Sequence, residues 1–290
     1  MKNKIIDGNI QSKILRDKIA SDVLKFKIKP KLAIILIGNN PASNIYVKIK
    51  TKRAQEVGIE TELHVFDESI TNDELLKFID TLNQDDSIHG ILVQMPLPKH
   101  INKNSILISI LPQKDVDGFS PISVGNLHNQ NPTFIPCTPL GVIHLIKSVR
   151  ADLTGMRAGV IGRSNIVGRP VAELLLQNDC STTIVHSKSH DIAKICSECD
   201  ILVAAVGIPK LVTKDYIKPG AIVIDVGINK IGDKIVGDVD FDDVINTVGY
   251  ITPVPGGVGP MTVAYLLSNT VESYKSLEQH GNKAISEYIS

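Results

Sequence analysis

The chain has 290 residues, more than one small core needs and enough for two domains of ordinary size. Its 43% hydrophobic and 21% charged content suits a packed globular protein and argues against long disordered stretches. Lys plus Arg equals Asp plus Glu at 31 each, so there is no electrostatic case for nucleic acid or an anionic membrane as the main partner.

The opening MKNKIIDGNI turns polar at Asp7 and lacks the apolar centre of a secretory signal. Apolar periodicity then predicts a helix over 10–26, a strand over 31–38, a helix over 42–57, a strand over 61–66, a helix over 72–82 and a strand over 89–94. The longest apolar runs, such as 32–38, fall well short of the roughly 20 residues that span a bilayer. Residues 112–140 are rich in Pro, Gly, Asn and Ser and read as a break. Strands follow at 157–162, 181–186, 200–206 and 220–226, with helices at 168–177 and 191–196 between the first three. A second break, TPVPGGVGP over 252–260, precedes a helix from Met261 to about Glu278, placed to pack back on the first domain. Short apolar strands alternating with helices predict an α/β fold with parallel sheets covered on both faces. The expected organisation is two domains around a cleft. The first is an N-terminal α/β domain, 1–139, completed by 261–290; the second is a dinucleotide-binding domain of Rossmann type, 140–260.

The second domain opens with AGVIGRSNIVGRPVAELLLQ, a strand running through a Gly-bearing turn into a helix. Backbone N–H groups at such a helix start bind a pyrophosphate. Gly162 and Gly168 frame the turn, but Ser164 stands where the standard fingerprint has its second glycine, so the motif taken alone also fits a ligand-free capping turn. About 20 residues on, a NAD site carries an acid for the ribose hydroxyls. Here the strand runs into Ser187, Lys188 and Ser189 instead. A carboxylate there would repel a 2′-phosphate, and Arg163 in the turn can pair with one, so NADP is favoured over NAD. Lys188 reads equally as a phosphate ligand or a solvated loop charge.

In the first domain, Tyr46 and Lys50 are i, i+4 neighbours on a predicted helix, within a basic set that includes Lys48, Lys52 and Arg53. Such a set is ordinarily a solvated face. GILVQMPLP puts Gln94 at the carboxyl end of a buried strand, where α/β sheets bind ligands, and KDVDGFSP sets Asp115 and Asp117 in a tight turn, where Asp before Gly commonly bonds local backbone.

In order, YVKIKTKRAQEVGI, GILVQMPLP, KDVDGF, PCTPLGV, GRSNIVGRP and PVPGGVGPMT resemble the signature blocks of the bifunctional methylenetetrahydrofolate dehydrogenase/cyclohydrolase family, often called FolD. The resemblance covers the chain from about Ile5 to Glu278. It implies a multifunctional enzyme of one-carbon metabolism that serves purine biosynthesis: an oxidoreductase taking 5,10-methylenetetrahydrofolate to the methenyl form with NADP, and a hydrolase taking that to 10-formyltetrahydrofolate. By the same resemblance, Tyr46, Lys50, Gln94 and Asp117 are catalytic and substrate-binding, with Pro255, Gly256 and Gly257 also facing the folate. Gly162, Arg163, Ser164, Gly168, Ser187 and Ile228 contact NADP. The chain is expected to be a cytoplasmic homodimer paired through cofactor domains by an exposed β edge.

The chemistry explains the residue types. Hydride leaves a carbon between two nitrogens whose lone pairs stabilise the cation, so that step needs alignment rather than a strong base. Hydration and ring opening move protons and need a tunable acid/base. Lys50 suits this if partial burial beside a cationic intermediate lowers its pKa, with Gln94 placed to hold it neutral. Tyr46 can stack on the folate, and Asp117 can accept paired N–H donors from the pterin edge.

Cys196 and Cys199 form a C-x-x-C after His186 and His190, which invites a zinc reading. No second Cys pair exists, so buried structural cysteines and no metal are expected. With Cys137 and Cys180 they make four cysteines, sparse enough for a reducing cytosol. The competing readings are a dehydrogenase without the hydrolytic step, another two-domain NADP oxidoreductase, and a non-catalytic folate- or nucleotide-binding protein.

Overall fold

The computed structural model describes residues 4–280. They form two compact units, one of Ile14–Ile135 with residues from Leu266, the other of Pro136–Tyr265 with residues up to Lys13.

Asp7 accepts from the N–H groups of Asn9 and Ile10 and so starts helix α1 (Gly8–Val23), whose residues from Ile14 on belong to the first unit. Strand β1 (Lys31–Ile37) is a buried apolar run, followed by α2 (Pro41–Glu56) and β2 (Glu60–Phe66). Helix α3 (Asn72–Gln84) starts on a reciprocal capping box between Thr71 and Glu74, and β3 (Gly90–Val93) follows. The three strands pair in parallel in the order β2-β1-β3. Leu75, Ile79 and Leu82 of α3 pack with Ala33, Ile35 and Ile91 in one core. Two short helices, α4 (Lys103–Ser109) and α5 (Pro121–His128), complete the segment. The break expected over 112–140 therefore holds a helix of its own.

The second unit begins with α6 (Cys137–Val149), a helix that the sequence reading left unassigned. It continues through β4 (Arg157–Ile161), α7 (Gly168–Leu176), β5 (Ser181–Val185), α8 (Ile192–Cys196), β6 (Ile201–Ala204), β7 (Ile222–Asp225), the hairpin β8 (Asn229–Ile231) and β9 (Lys234–Val236), α9 (Phe241–Val244) and β10 (Tyr250–Ile251). Five of these strands form a parallel sheet in the order β10-β7-β6-β4-β5. Ile5 bridges to Ile251 at one edge, and β5 is the opposite edge.

Helix α10 (Val258–His280) starts in the second unit and ends in the first. Its later residues do pack back on the first sheet. Tyr274 stacks against Phe26 and His89 at 4.6 and 5.0 Å between ring centres. Asn269 Nδ2 donates to the carbonyls of Val116 and Ile135, and Ser273 Oγ to those of His89 and Gln113.

Candidate functional site

Asn40 caps α2, accepting from the N–H groups of Ala42 and Ser43 at 3.0 and 3.1 Å, with Pro41 at the first helical position. The helix buries Ser43, Val47, Lys50 and Ala54, spaced as one face. Lys50 thus lies on the inward stripe, 9% exposed, while Lys48 and Lys52 are exposed. Its Nζ donates to Gln94 Oε1 at 3.0 Å. The amide of Gln94 is oriented by its other end, because Nε2 donates to the Met95 carbonyl at 2.7 Å. Its backbone N–H donates to Ile35 O, so the side chain springs from the carboxyl end of the sheet. Tyr46 sits one turn before Lys50 and is half-buried, which raises its hydroxyl pKa.

The two acids of KDVDG divide their work. Asp115 is fully buried and accepts from Ser120 N at 2.9 Å, Phe119 N at 3.2 Å and Ser123 Oγ at 2.8 Å, fastening the turn to the start of α5. Burial pushes its carboxyl above the ordinary value, against these donors. Asp117 remains partly exposed. Gly118, at φ +70°, closes the turn with an N–H bond to Asp115 O. Lys114 is 1% exposed, and its Nζ donates to the carbonyls of Leu82, Asn83 and Asp85 at 3.1, 2.8 and 2.8 Å, capping α3. Lys114, Asn269 and Ser273 are supporting residues that the sequence reading missed. Their partners lie 29 to 184 positions away, beyond any local pattern.

In the second unit the strand–turn–helix after β4 has the tight packing a dinucleotide cradle requires. Gly162 has φ +115°, and a Cβ there would lie 2.2 Å from Ala205 O. A Cβ on Gly168 would lie 2.3 Å from Gly162 O. Ser164 Oγ accepts from Val167 N and Gly168 N at 3.2 and 3.3 Å, so it covers the start of α7 while staying exposed. Arg163 is exposed beside it. The β4–β5 register pairs Ile161 with Val185, which sets Arg163 and Ser187, each two residues on, at the same edge of the sheet. Ser187 and Lys188 are exposed in a turn pinned by His186 and Ser189. These residues fit a dinucleotide with a 2′-phosphate: glycines where the backbone must come close, a nine-residue helix start, and a guanidinium with hydroxyls where an acid would repel. Ile228, 51% exposed, lies in the loop after β7. Gly256, at φ +105°, and Gly257 are crowded by Asn9 and Pro253, and a Cβ on Gly8 would strike Gly257 O. Pro255 lies in this loop.

Among the described residues, no group of three His, Cys, Asp or Glu is placed to hold a metal ion, and no helix is long and apolar enough to cross a membrane. Cys196 and Cys199 are buried, and burial pushes the Cys196 thiol up to about 12.

Tyr46, Lys50, Gln94 and Asp117 therefore fall in one unit, and the predicted NADP contacts and the Pro255–Gly257 loop in the other. A parallel α/β unit with a dinucleotide cradle, together with an α/β unit carrying a buried lysine–amide pair, defines a two-domain NAD(P)-binding enzyme class. The chain belongs to the tetrahydrofolate dehydrogenase/cyclohydrolase family: residues 6–117 match the profile of its catalytic domain and residues 136–278 that of its NAD(P)-binding domain. It is 51% identical over 278 residues to the bifunctional protein FolD of Listeria innocua, covering 94% of this chain and 98% of that protein. Among solved structures, the bifunctional FolD enzyme of Campylobacter jejuni superposes with a TM-score of 0.92 at 48% identity, covering 94% and 98% of the two chains. The Trypanosoma brucei enzyme, solved with NADP cofactor and an inhibitor, gives 0.91 at 38% identity over 95% and 98%.

Proposed function

We propose that the chain oxidises 5,10-methylenetetrahydrofolate to 5,10-methenyltetrahydrofolate with NADP and then hydrolyses that product to 10-formyltetrahydrofolate, with Lys50 as the acid/base of the second step. The observation that carries this reading is the buried Lys50–Gln94 hydrogen bond, which lifts one lysine of a basic helix out of the solvated set. NADP, when bound by the residues named below, would supply the hydride acceptor. Around that transfer the protein's task is placement. Asp117 holds the aminopyrimidine edge of the pterin, Tyr46 lies against the folate rings, and Pro255, Gly256 and Gly257 complete the substrate contacts. Gly162, Arg163, Ser164, Gly168, Ser187 and Ile228 hold the cofactor. We assign 1–139 with 261–290 to the substrate domain and 140–260 to the cofactor domain.

Lys50 acts when water adds to the methenyl carbon. Its amine accepts a proton from the water as the C–O bond forms, the ammonium returns that proton to the ring nitrogen as the C–N bond opens, and the remaining hydroxyl proton leaves to solvent as the formyl C=O forms. The Gln94 carbonyl oxygen keeps a hydrogen of the lysine engaged and so aims its nitrogen.

Lys50→Met retains the apolar stem and removes the titratable group. This variant should still reduce NADP with methylenetetrahydrofolate, while its conversion of methenyltetrahydrofolate falls by about 10²–10⁴-fold. Methenyl absorbance would then rise and persist after correction for uncatalysed hydrolysis. Hydrolysis at the wild-type rate would remove Lys50 from the mechanism.

The expected setting is cytoplasmic, with the folate as small-molecule partner and neither nucleic acid nor membrane as ligand. A homodimer through the cofactor domains is supported by strand β5, an edge strand with Ile184 38% exposed. Light scattering at micromolar concentration should give twice the chain mass, and a monomer mass would refute the dimer.

A further inference from the structure

The carboxyl edge of the five-stranded sheet holds two carboxylates to which the reaction gives no task. Asp225, the last residue of β7, is 4% exposed, and Asp238, just after β9, is 0% exposed. Asp225 Oδ1 accepts from Gly227 N at 3.0 Å and Asp238 N at 2.9 Å, and its Oδ2 accepts from Val239 N at 2.9 Å. Asp238 Oδ2 accepts from Val206 N at 2.7 Å and Gly207 N at 3.0 Å, and its Oδ1 from Asn229 Nδ2 at 2.8 Å. The N–H of Asp225 donates to Thr252 Oγ1 at 2.8 Å. Two glycines make room for this: a Cβ on Gly237 would lie 1.8 Å from Asp225 Oδ2, and one on Gly227 would lie 2.2 Å from Asp238 Oδ1.

A buried pair of like charges held by neutral donors is a poor way to gain stability, since apolar residues of similar volume would do as well or better. What such a network supplies is a single arrangement of the backbone it binds. Here that backbone is the loop after β6 (Val206, Gly207), the loop after β7 (Gly227, Asn229), the exit of the hairpin (Asp238, Val239) and the segment after β10 (Thr252). In parallel α/β sheets the dinucleotide lies across these strand ends. The pyrophosphate turn follows β4, and the residues that select the 2′-phosphate follow β5. By the strand order β10-β7-β6-β4-β5, the adenosine half covers the β5 side and the nicotinamide half the β6 and β7 side.

We propose that Asp225 and Asp238 are positioning residues of the cofactor unit, a buried carboxylate pair that locks the loops after β6, β7 and β10 into the arrangement that holds the nicotinamide half of NADP. Ile228, between Gly227 and Asn229, is the side chain this lock would aim. The proposal rests on the reading that NADP occupies this edge.

The test compares Asp225→Asn, Asp238→Asn and the milder Asn229→Ala, each checked for folding by circular dichroism and titrated by calorimetry well below its melting midpoint. The two probes are NADP and 2′,5′-ADP, the second carrying only the adenosine half. The expected result is an NADP Kd raised about tenfold or more, with the 2′,5′-ADP Kd unchanged to within about twofold. In turnover, the KM for NADP should rise and that for methylenetetrahydrofolate should hold. If the Asn variants fail to fold, Asn229→Ala decides alone. Unchanged NADP binding in every folded variant overturns the proposal. Equal weakening of both probes also overturns it, because the pair would then support the unit as a whole. Arg163→Ala separates the underlying reading: it should weaken both probes, and if it weakens neither, the nucleotide does not lie on this edge and the proposal falls with that assignment.

Discussion

Two buried groups carry opposite pH dependences. Burial lowers His89 to about 4 from its ordinary 6.5, helped by the nearby Lys114 and Lys31 charges, and its Nδ1 accepts from Lys31 N. Between those values the unfolded chain binds a proton that the folded chain does not. Stability from His89 is therefore complete above about pH 6.5 and is lost as pH falls toward 4. Asp225 runs the other way. Burial raises it from 3.8 to about 6, with the Asp238 carboxylate adding to the rise and three backbone donors opposing it. Its folded form binds the extra proton, so its contribution to stability falls as pH rises from about 4 to 6. His89→Asn keeps an acceptor for Lys31 N but cannot titrate. It should reduce the gain in unfolding free energy between about pH 4.5 and 6.5 by about 2 kcal/mol, whereas Asp225→Asn should make that gain steeper. Urea midpoints at the two pH values measure both. Parallel pH profiles for wild type and both variants would sink the assignment.

At the scale of elements, strands and helices are written clearly in the chain, and their mutual supports are not. The seven strands expected from β-rich runs form within one or two residues of their expected ends, because each run is bounded by turn residues and five of the seven are buried, β2 and β5 being exposed edge strands. Helix α6 escaped because its start, CTPLGV, holds Pro139 and Gly141. The proline lies in the first turn, where its missing N–H costs nothing, and Gly141 is required because a Cβ would meet Met261 Cβ at 2.8 Å. Lys50 and Gln94 were readable as types on a helix and a strand end, but only the fold brings them within 3.0 Å. Lys114 was unreadable as a helix cap, because α3 ends 30 positions before it. The same support makes a prediction. Lys114→Met leaves three carbonyls at the end of α3 without their donor, and should cost about 2–4 kcal/mol in urea unfolding. A loss under about 0.5 kcal/mol would show that water serves those carbonyls equally well.

At the scale of the whole molecule, the polypeptide crosses between its two units three times, after Lys13, Ile135 and Tyr265. The first and last crossings lie inside α1 and α10. Consider a single peptide bond cut in the exposed stretch His128–Asn131, where Gln130 takes a left-handed φ of 57°. Neither product would be a domain. The shorter piece would carry Ile5 and Ile6, which bond to Ile251 of the longer piece. The longer piece would carry Asn269 and Ser273, which bond to Val116, His89 and Gln113 of the shorter. Each unit would then be stitched from both fragments, as two links of a chain stay joined after one is filed through. Limited proteolysis at this site should give two bands on a denaturing gel and one undivided particle on native mass measurement, and separation of the fragments under native conditions would contradict the interlacing.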